Sequence, residues 1–338
     1  MGPTRQLGGT RSSEDGPGED GPGRRGPTTC RRRLLAAAAA IAGGPGPLLA
    51  AAPDATAGRN DLIGRNRLHT VAAGEVLVDI AVSYGVGYVE LAAANPDVDP
   101  WRPGVGSELV IPGEHILPDA PRRGIVINLA ELRLYHFARD GGVRSMPIGI
   151  GSEGLETPAG ETRVTGKRKN PTWWPPASIR AERPELPAAV PPGPENPLGD
   201  YVLELGWPLY RIHGTNRPYG VGRRVSHGCI RLYPADIEAL FGAVPTGTPV
   251  HVVDQSIKVG WQGGRLFLEV HATQSQVDAI EAGHSAADWP PEDPTALIRR
   301  ATGGDDRMVD WTVVGRIALA RHGVPGLISA AAPKDPAE

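Results

Sequence analysis

The stretch GIVINLAELRLYHF, residues 124 to 137, is the feature that most limits what this chain can fold into. Two alternating runs, Ile125 to Leu129 and Leu132 to Phe137, flank a short turn, which is the pattern of a β-hairpin. An isolated hairpin is marginal in water, so further strands must cover it. Short strands expected around Arg144–Ile150, Thr162–Thr165, Tyr201–Leu205, Leu209–Ile212 and Pro249–Val253 supply them. With 45 glycines and 35 prolines in 338 residues, a long helical bundle is excluded and a mainly β domain over residues 122–255 is expected. Between the strands, residues 167–200 contain NPTWWPPASIR and LPAAVPPGPENPLGD, too rich in proline for regular structure; loops of this length are commonly lids or binding walls.

The first 57 residues have a different character. Residues 1–29 are glycine, proline and charge with almost no apolar side chains, and cannot repay the entropy of ordering. Arg31, Arg32 and Arg33 then precede an apolar run from Leu34 to Ala42 and small residues up to Ala57, the order of a secretory signal peptide, with adjacent arginines that also suit a twin-arginine route. Gly43, Gly44, Pro45 and Pro47 break the run well short of the roughly 20 apolar residues a membrane span needs. Cleavage after Ala57 would leave a periplasmic protein without a transmembrane span. The formal net charge is −3; residues 1–57 carry seven arginines and five acids, so the remainder carries −5, which excludes a nucleic-acid binder relying on a broad positive field. Cleavage also removes Cys30. Cys229 would then be the single thiol in a compartment where cysteines are usually paired.

Residues 65–113 form a small unit. Leu77, Ile80, Ala81 and Tyr84 recur at helical spacing before Gly85, a second short helix is expected from Tyr88 to Ala94 before Asn95-Pro96, and Glu108–Pro112 should pair with Leu68–Val71. Through His69-Thr70-Val71, Gly74-Glu75, Leu77, Ile80-Ala81, Leu91, Asn95-Pro96 and Leu109–Pro112 this βααβ pattern resembles the LysM domain, which implies binding of peptidoglycan glycan. Val76 stands where that family usually places Thr or Ser, so a helix cap worth about 1 kcal/mol is missing. At the other end, residues 256–338 are expected to be a partly helical extension, most clearly from Asp306 to His322, where Val309, Val313, Ile317 and Ala320 share a face and Gly323 closes the helix.

The chemistry concentrates in RIHGTNRPYGVGRRVSHGCIRL, residues 211–232. A cysteine becomes a nucleophile when an imidazole takes its proton and a third group orients that imidazole. His213 ends one apolar stretch and Cys229 begins another, so facing strand ends would bring them together; Gly214 and Gly228 permit close backbone approach, the Gly228 and Cys229 N–H groups suit an oxyanion, and Arg231 falls on the same strand face as Cys229. On spacing alone other readings stand beside this one: an inert buried thiol, a zinc site of His213, His227 and Cys229 without a clear fourth ligand, or a core histidine satisfied by backbone.

His213-Gly214-Thr215 followed by Ser226-His227-Gly228-Cys229-Ile230-Arg231, with Thr157-Pro158-Ala159-Gly160 upstream, resembles the signature of the YkuD-type L,D-transpeptidases. INLAELRLY, PIGIG, NPTWWPP, PPGPENPLG and IHGTNRPYG extend the likeness to the ErfK/YbiS subgroup, which attaches Braun lipoprotein to the wall. The resemblance implies a β-sandwich or barrel and a cycle without metal or cofactor. Cys229 attacks the tetrapeptide stem of peptidoglycan and expels D-Ala, and His213, oriented by the Gly214 carbonyl, moves the proton. Thr215, Ser226, His227, Gly228 and Arg231 line or support the donor pocket. The acyl acceptor is a lipoprotein lysine, diaminopimelate of a second stem, or water, and carbapenems acylate the cysteine. A wall-bound scaffold lacking activity is the alternative from a different class; intact His213, Ser226, Gly228, Cys229 and Arg231 argue against it.

Overall fold

Strand β1 (Leu62–Gly64) pairs with β4 (Glu114–Ile116), and inside this frame lies the βααβ unit: β2 (Arg67–Thr70), α1 (Leu77–Tyr84), α2 (Tyr88–Ala94) and β3 (Glu108–Ile111). The computed structural model describes residues 59–281, apart from the Ile280 side chain, and 289–329; the basic cluster, apolar run and expected cleavage point of the leader, together with Cys30, lie outside them. β2 and β3 are antiparallel with Leu68 opposite Val110. Val76 offers α1 no side-chain cap, while Gly85 closes that helix in the left-handed conformation at φ 65°. Leu77, Ile80, Ala81, Leu91, Leu109 and Ile111 fill the unit's core. Each large aliphatic side chain buried there contributes about 1.5–3 kcal/mol, more than the missing cap costs.

The expected hairpin is β5 (Gly124–Asn128) with β6 (Arg133–Phe137), Ile127 opposite Leu134. It continues into β7 (Val143–Pro147), and β8 (Ile150–Gly151), β9 (Gly160–Lys169), α3 (Ala177–Glu182), β10 (Tyr201–Leu205), β11 (Arg211–His213), β12 (Arg224–Ser226), β13 (Ile230–Arg231), α4 (Pro234–Ala243) and β14 (Pro249–Val253) follow. Eight of these strands make one mixed sheet in the order β13-β11-β10-β9-β14-β5-β6-β7, while β8 and β12 form a short parallel pair. Alternation sorts the sheet's faces: Ile125, Ile127 and Leu134 enter the main core with Ile212, Ile230 and Leu240, and Val126, Tyr135 and Phe137 pack on the other side with Leu117. The architecture is mainly β, as expected.

Three local expectations need correction. The run Leu209–Ile212 is not a strand from its first residue, because Leu209 sits at φ 71° and the ladder begins at Arg211. The proline-rich segment holds one short helix, α3, and a bridge between Trp173 and Val190. The extension is partly helical. It opens with an antiparallel hairpin, β15 (Ile257–Gln262) and β16 (Arg265–Val270), turned by Gly263 and Gly264 at φ 56° and 73°. After α5 (Gln274–Glu281) and α6 (Thr295–Thr302), α7 spans Trp311–Ala320, starting five residues later than expected, and β17 (Gly326–Leu327) joins β16. Asp310 caps α7 by accepting from the Thr312 and Val313 N–H groups. Val309 therefore lies outside the helix and bridges to Ser329.

The βααβ unit is fastened to the chain on either side of β12 and β13. Val89 N–H donates to the Gly222 carbonyl at 3.2 Å, and Tyr233 OH donates to the Val86 carbonyl at 2.9 Å. Gly222 has φ 74° and a Cβ on it would stand 2.3 Å from Gly87 Cα, so only glycine allows this approach. Among the described residues no single helix is long and apolar enough to cross a membrane.

Candidate active site

β11 and β13 are parallel neighbours with Ile212 opposite Ile230 and His213 opposite Arg231. The two isoleucines turn into the main core, so the alternate positions face the other way. Continuing the register back by one residue sets Cys229 beside Arg211 and two positions from His213 on that same face. The strand ends expected to face each other are thus adjacent strands of one ladder.

The turn before Cys229 is held by buried hydroxyls. Ser226 Oγ donates to the carbonyl of Cys229 at 2.6 Å, and Thr157 Oγ1 donates to the carbonyl of Gly228 at 2.9 Å while accepting from Gly151 N–H at 3.1 Å. Gly228 has φ 93°, and a Cβ there would meet the Tyr210 ring at 2.9 Å. The threonine of the Thr157–Gly160 turn is therefore a brace for the Ser226–Cys229 loop. The Gly228 and Cys229 N–H groups donate to no protein acceptor among the described residues.

His213 is buried and its Nδ1 lies 2.6 Å from the Gly214 carbonyl, which selects the tautomer that donates from Nδ1. Burial, reinforced by the Arg231 and Arg211 cations, drives the imidazole down to about 3, so it is neutral at physiological pH. Burial also pushes the Cys229 thiol above its ordinary value, against the opposing pull of the Arg211 backbone and side chain and of Arg231. Thiol and imidazole are therefore each neutral at rest. The thiol points at the Leu209 carbonyl at 3.5 Å, and Arg211 Nη1 donates to the same oxygen at 3.3 Å.

Residues 122–252 match the family model of the YkuD L,D-transpeptidase catalytic domain, and residues 69–112 match that of the LysM domain. The chain is 47% identical over 226 residues to the probable L,D-transpeptidase YcfS of Escherichia coli K12, spanning 64% of this chain and 71% of that relative. Over 264 residues it is 43% identical to the probable L,D-transpeptidase ErfK/SrfK of Salmonella typhimurium LT2, spanning 76% and 84%. The chain belongs to the L,D-transpeptidase family. Its YbiS relative in Escherichia coli K12 is 41% identical over 273 residues, 78% of this chain and 87% of that one.

The remaining signature residues of this L,D-transpeptidase divide by exposure. His227 is exposed and its Nε2 lies 2.9 Å from Glu182 at the end of α3, which ties the proline-rich segment to the Ser226–Cys229 loop. Thr215 is buried, its hydroxyl accepting from Arg217 N–H at 2.9 Å, and with Gly214 it borders a cavity of about 770 Å³ whose other wall includes Pro194, Asn196 and Glu238. Arg231 is largely buried and, among the described residues, has no carboxylate partner. His115, Glu131 and Glu269 bring possible ligand atoms within 4.8 Å of one another, but Lys258 Nζ stands among them, 2.6 Å from Glu131 and 3.0 Å from Glu269, and fills the cation's place.

Sequence reasoning missed Arg211, Leu209 and Glu182. Arg211 carried a signal, a charged residue inside an apolar strand, but its neighbour is set by the β11–β13 register. Removing it should make the thiolate harder to form. We expect Arg211→Gln to move the pH profile of Cys229 alkylation by iodoacetamide to higher pH, slowing the reaction roughly three- to tenfold at pH 8, with Arg211→Lys in between. An unchanged profile would show that the guanidinium only braces the turn.

Proposed function

We propose that this L,D-transpeptidase is an exported enzyme that cuts the D-Ala from peptidoglycan tetrapeptide stems through a thioester on Cys229 and passes the acyl group to an amine. The observation that supports this reading is the β11–β13 ladder, whose register runs His213 and Cys229 along one face. In the first half of the cycle Cys229 Sγ attacks the carbonyl between diaminopimelate and D-Ala. The S–C bond forms as the C–N bond breaks, and the thiol proton passes through His213 to the leaving amine. The acceptor amine then attacks the thioester, gives its proton to His213, and returns sulfur to the thiol. Because thiol and imidazole are both neutral at rest, the proton moves with the attack and not before it. The free N–H groups of Gly228 and Cys229 suit the oxyanion, Arg231 suits a substrate carboxylate, and Ser226 and Thr157 keep the loop in place.

In this reading residues 65–113 bind glycan, residues 122–255 catalyse, residues 256–338 are an extension, and residues 1–57 direct export by the Sec or twin-arginine route. The acceptor is a lipoprotein lysine, in keeping with the likeness to the ErfK and YbiS relatives, or the diaminopimelate of a neighbouring stem. Carbapenems should acylate Cys229, since their strained carbonyl offers the same electrophile.

The test is mass spectrometry of products after incubating the protein with a disaccharide-tetrapeptide, with and without a lysine-ended peptide. D-Ala release is expected, and the product mass names the acceptor: linked peptide, 3-3 dimer or hydrolysed tripeptide. A folded protein that releases no D-Ala would overturn the reading.

A further inference from the structure

A second cavity, of about 380 Å³, opens where the LysM unit meets the transpeptidase domain, away from Cys229. Val76, Asp79, Tyr88 and Trp101 line it from the LysM side, and Tyr219 and Arg223 from the segment between His213 and Cys229. Trp101 is 72% exposed and Tyr219 52%, large aromatic surfaces that neither core uses. Arg223 is held in place, stacked over the Tyr88 ring at 5.0 Å and paired with Glu281 at 2.8 Å, and the nearby Asp79 carboxylate raises the Tyr219 phenol.

We infer that Trp101 and Tyr219 are two walls of one saccharide seat, shared between the LysM unit and the transpeptidase domain, that takes an N-acetylated pyranose of the substrate's own glycan strand. The inference rests on reading the LysM residues as glycan-binding and adds that the catalytic domain supplies part of the seat. A pyranose ring has an apolar C–H face that packs on aromatic rings and a rim of hydroxyl and amide groups that need donors and acceptors; an apolar slot edged by Asp79 and Arg223 offers both. A peptide would find neither paired backbone groups nor a free strand edge here.

Position gives the seat its consequence. Tyr219 lies in the Pro218–Gly220 turn, and a Cβ on Gly220 would stand 3.5 Å from Arg231 Nη1, so the wall that meets the sugar backs onto Arg231. Two residues on, Gly222 accepts the Val89 hydrogen bond that docks the LysM unit. Sugar bound there lies against the segment that connects the histidine strand to the cysteine strand, and the LysM unit presents the donor stem as well as anchoring the enzyme to the wall.

The experiment compares the wild type with Trp101→Ala, Tyr219→Ala and, as a surface control, Leu319→Ala, using an N-acetylglucosamine tetramer as the binding probe in calorimetry. Both aromatic variants should weaken tetramer binding about tenfold and the control should not. Both should also lower, by about tenfold, the ratio of kcat/KM for a disaccharide-tetrapeptide donor to that for the free tetrapeptide, through KM and not kcat. Tetramer binding lost in Trp101→Ala but untouched in Tyr219→Ala would overturn the shared seat in favour of a LysM-only site; no change in either would overturn the seat altogether. Failure of the functional reading looks different, since the wild type would then release D-Ala from neither donor while still binding the tetramer.

Discussion

Replacing Cys229 by alanine is expected to abolish D-Ala release, a loss of at least about 10⁴-fold, while leaving the fold intact. The sulfur makes one weak hydrogen bond, to the Leu209 carbonyl, and its residue is only half-buried, so deletion removes little packing. The urea midpoint should move by no more than the roughly 1 kcal/mol typical of a substitution away from the core. His213→Gln should slow turnover by about 10²- to 10⁴-fold, the usual contribution of a positioned general base. The two variants separate differently in alkylation. Cys229→Ala removes the reacting atom, whereas His213→Gln leaves a thiol whose thiolate is still disfavoured by burial, and iodoacetamide should label it slowly and increasingly above neutral pH. A histidine variant that turns over at the wild-type rate would leave His213 as a structural residue satisfied by the Gly214 carbonyl.

What the sequence disclosed and what it withheld follow from the range of the interactions involved. The β5–β6 hairpin and the two LysM helices were legible because their information is local: alternation on either side of a turn, and apolar spacing ended by Gly85. Cys229, His213 and the Thr157 turn stood out as motifs, yet the motif did not say that Thr157 braces Gly228 or that Ser226 spends its hydroxyl on Cys229's own carbonyl. Arg211 and Glu182 reach the site only through strand register and the path of the proline-rich segment, which no local pattern encodes. The β15–β16 hairpin is a different case. Its Gly263-Gly264 pair between alternating runs is a local signal for a two-residue turn, which the expectation of a partly helical extension did not turn into strands. The start of α7 was likewise written in Asp310, a capping residue.

Lys258→Met should be the most destabilising single substitution outside the catalytic machinery, costing about 3–5 kcal/mol. The ammonium sits at the meeting point of β4, the β5–β6 turn and β16, donating to the Ile116 carbonyl at 2.7 Å and to Glu131 at 2.6 Å, with Glu269 3.0 Å away. All three ionic side chains are at most 1% exposed, so no water replaces a missing partner. Methionine matches the stem of lysine but leaves Glu131 and Glu269 buried without their shared cation. The sign of the pH response should reverse as well. In the wild type, burial alone would raise the Glu269 carboxyl, but Lys258, His115 and His271 together hold it well below the ordinary range. Its stabilisation is therefore complete above the unfolded carboxyl value of about 4.3 and is lost only as the pH falls below that. Without Lys258 the burial effect gains the upper hand and the carboxyl rises above its unfolded value, so the folded variant binds a proton the unfolded chain does not. Lys258→Met should accordingly gain stability between pH 8 and pH 5.5, where this group leaves the wild type unchanged, and adding Glu269→Gln should recover part of the loss and flatten the response. Urea midpoints across that range decide it: a parallel pH dependence in wild type and variant would mean that the carboxylates find another cation, with His115 and His271 the groups in reach.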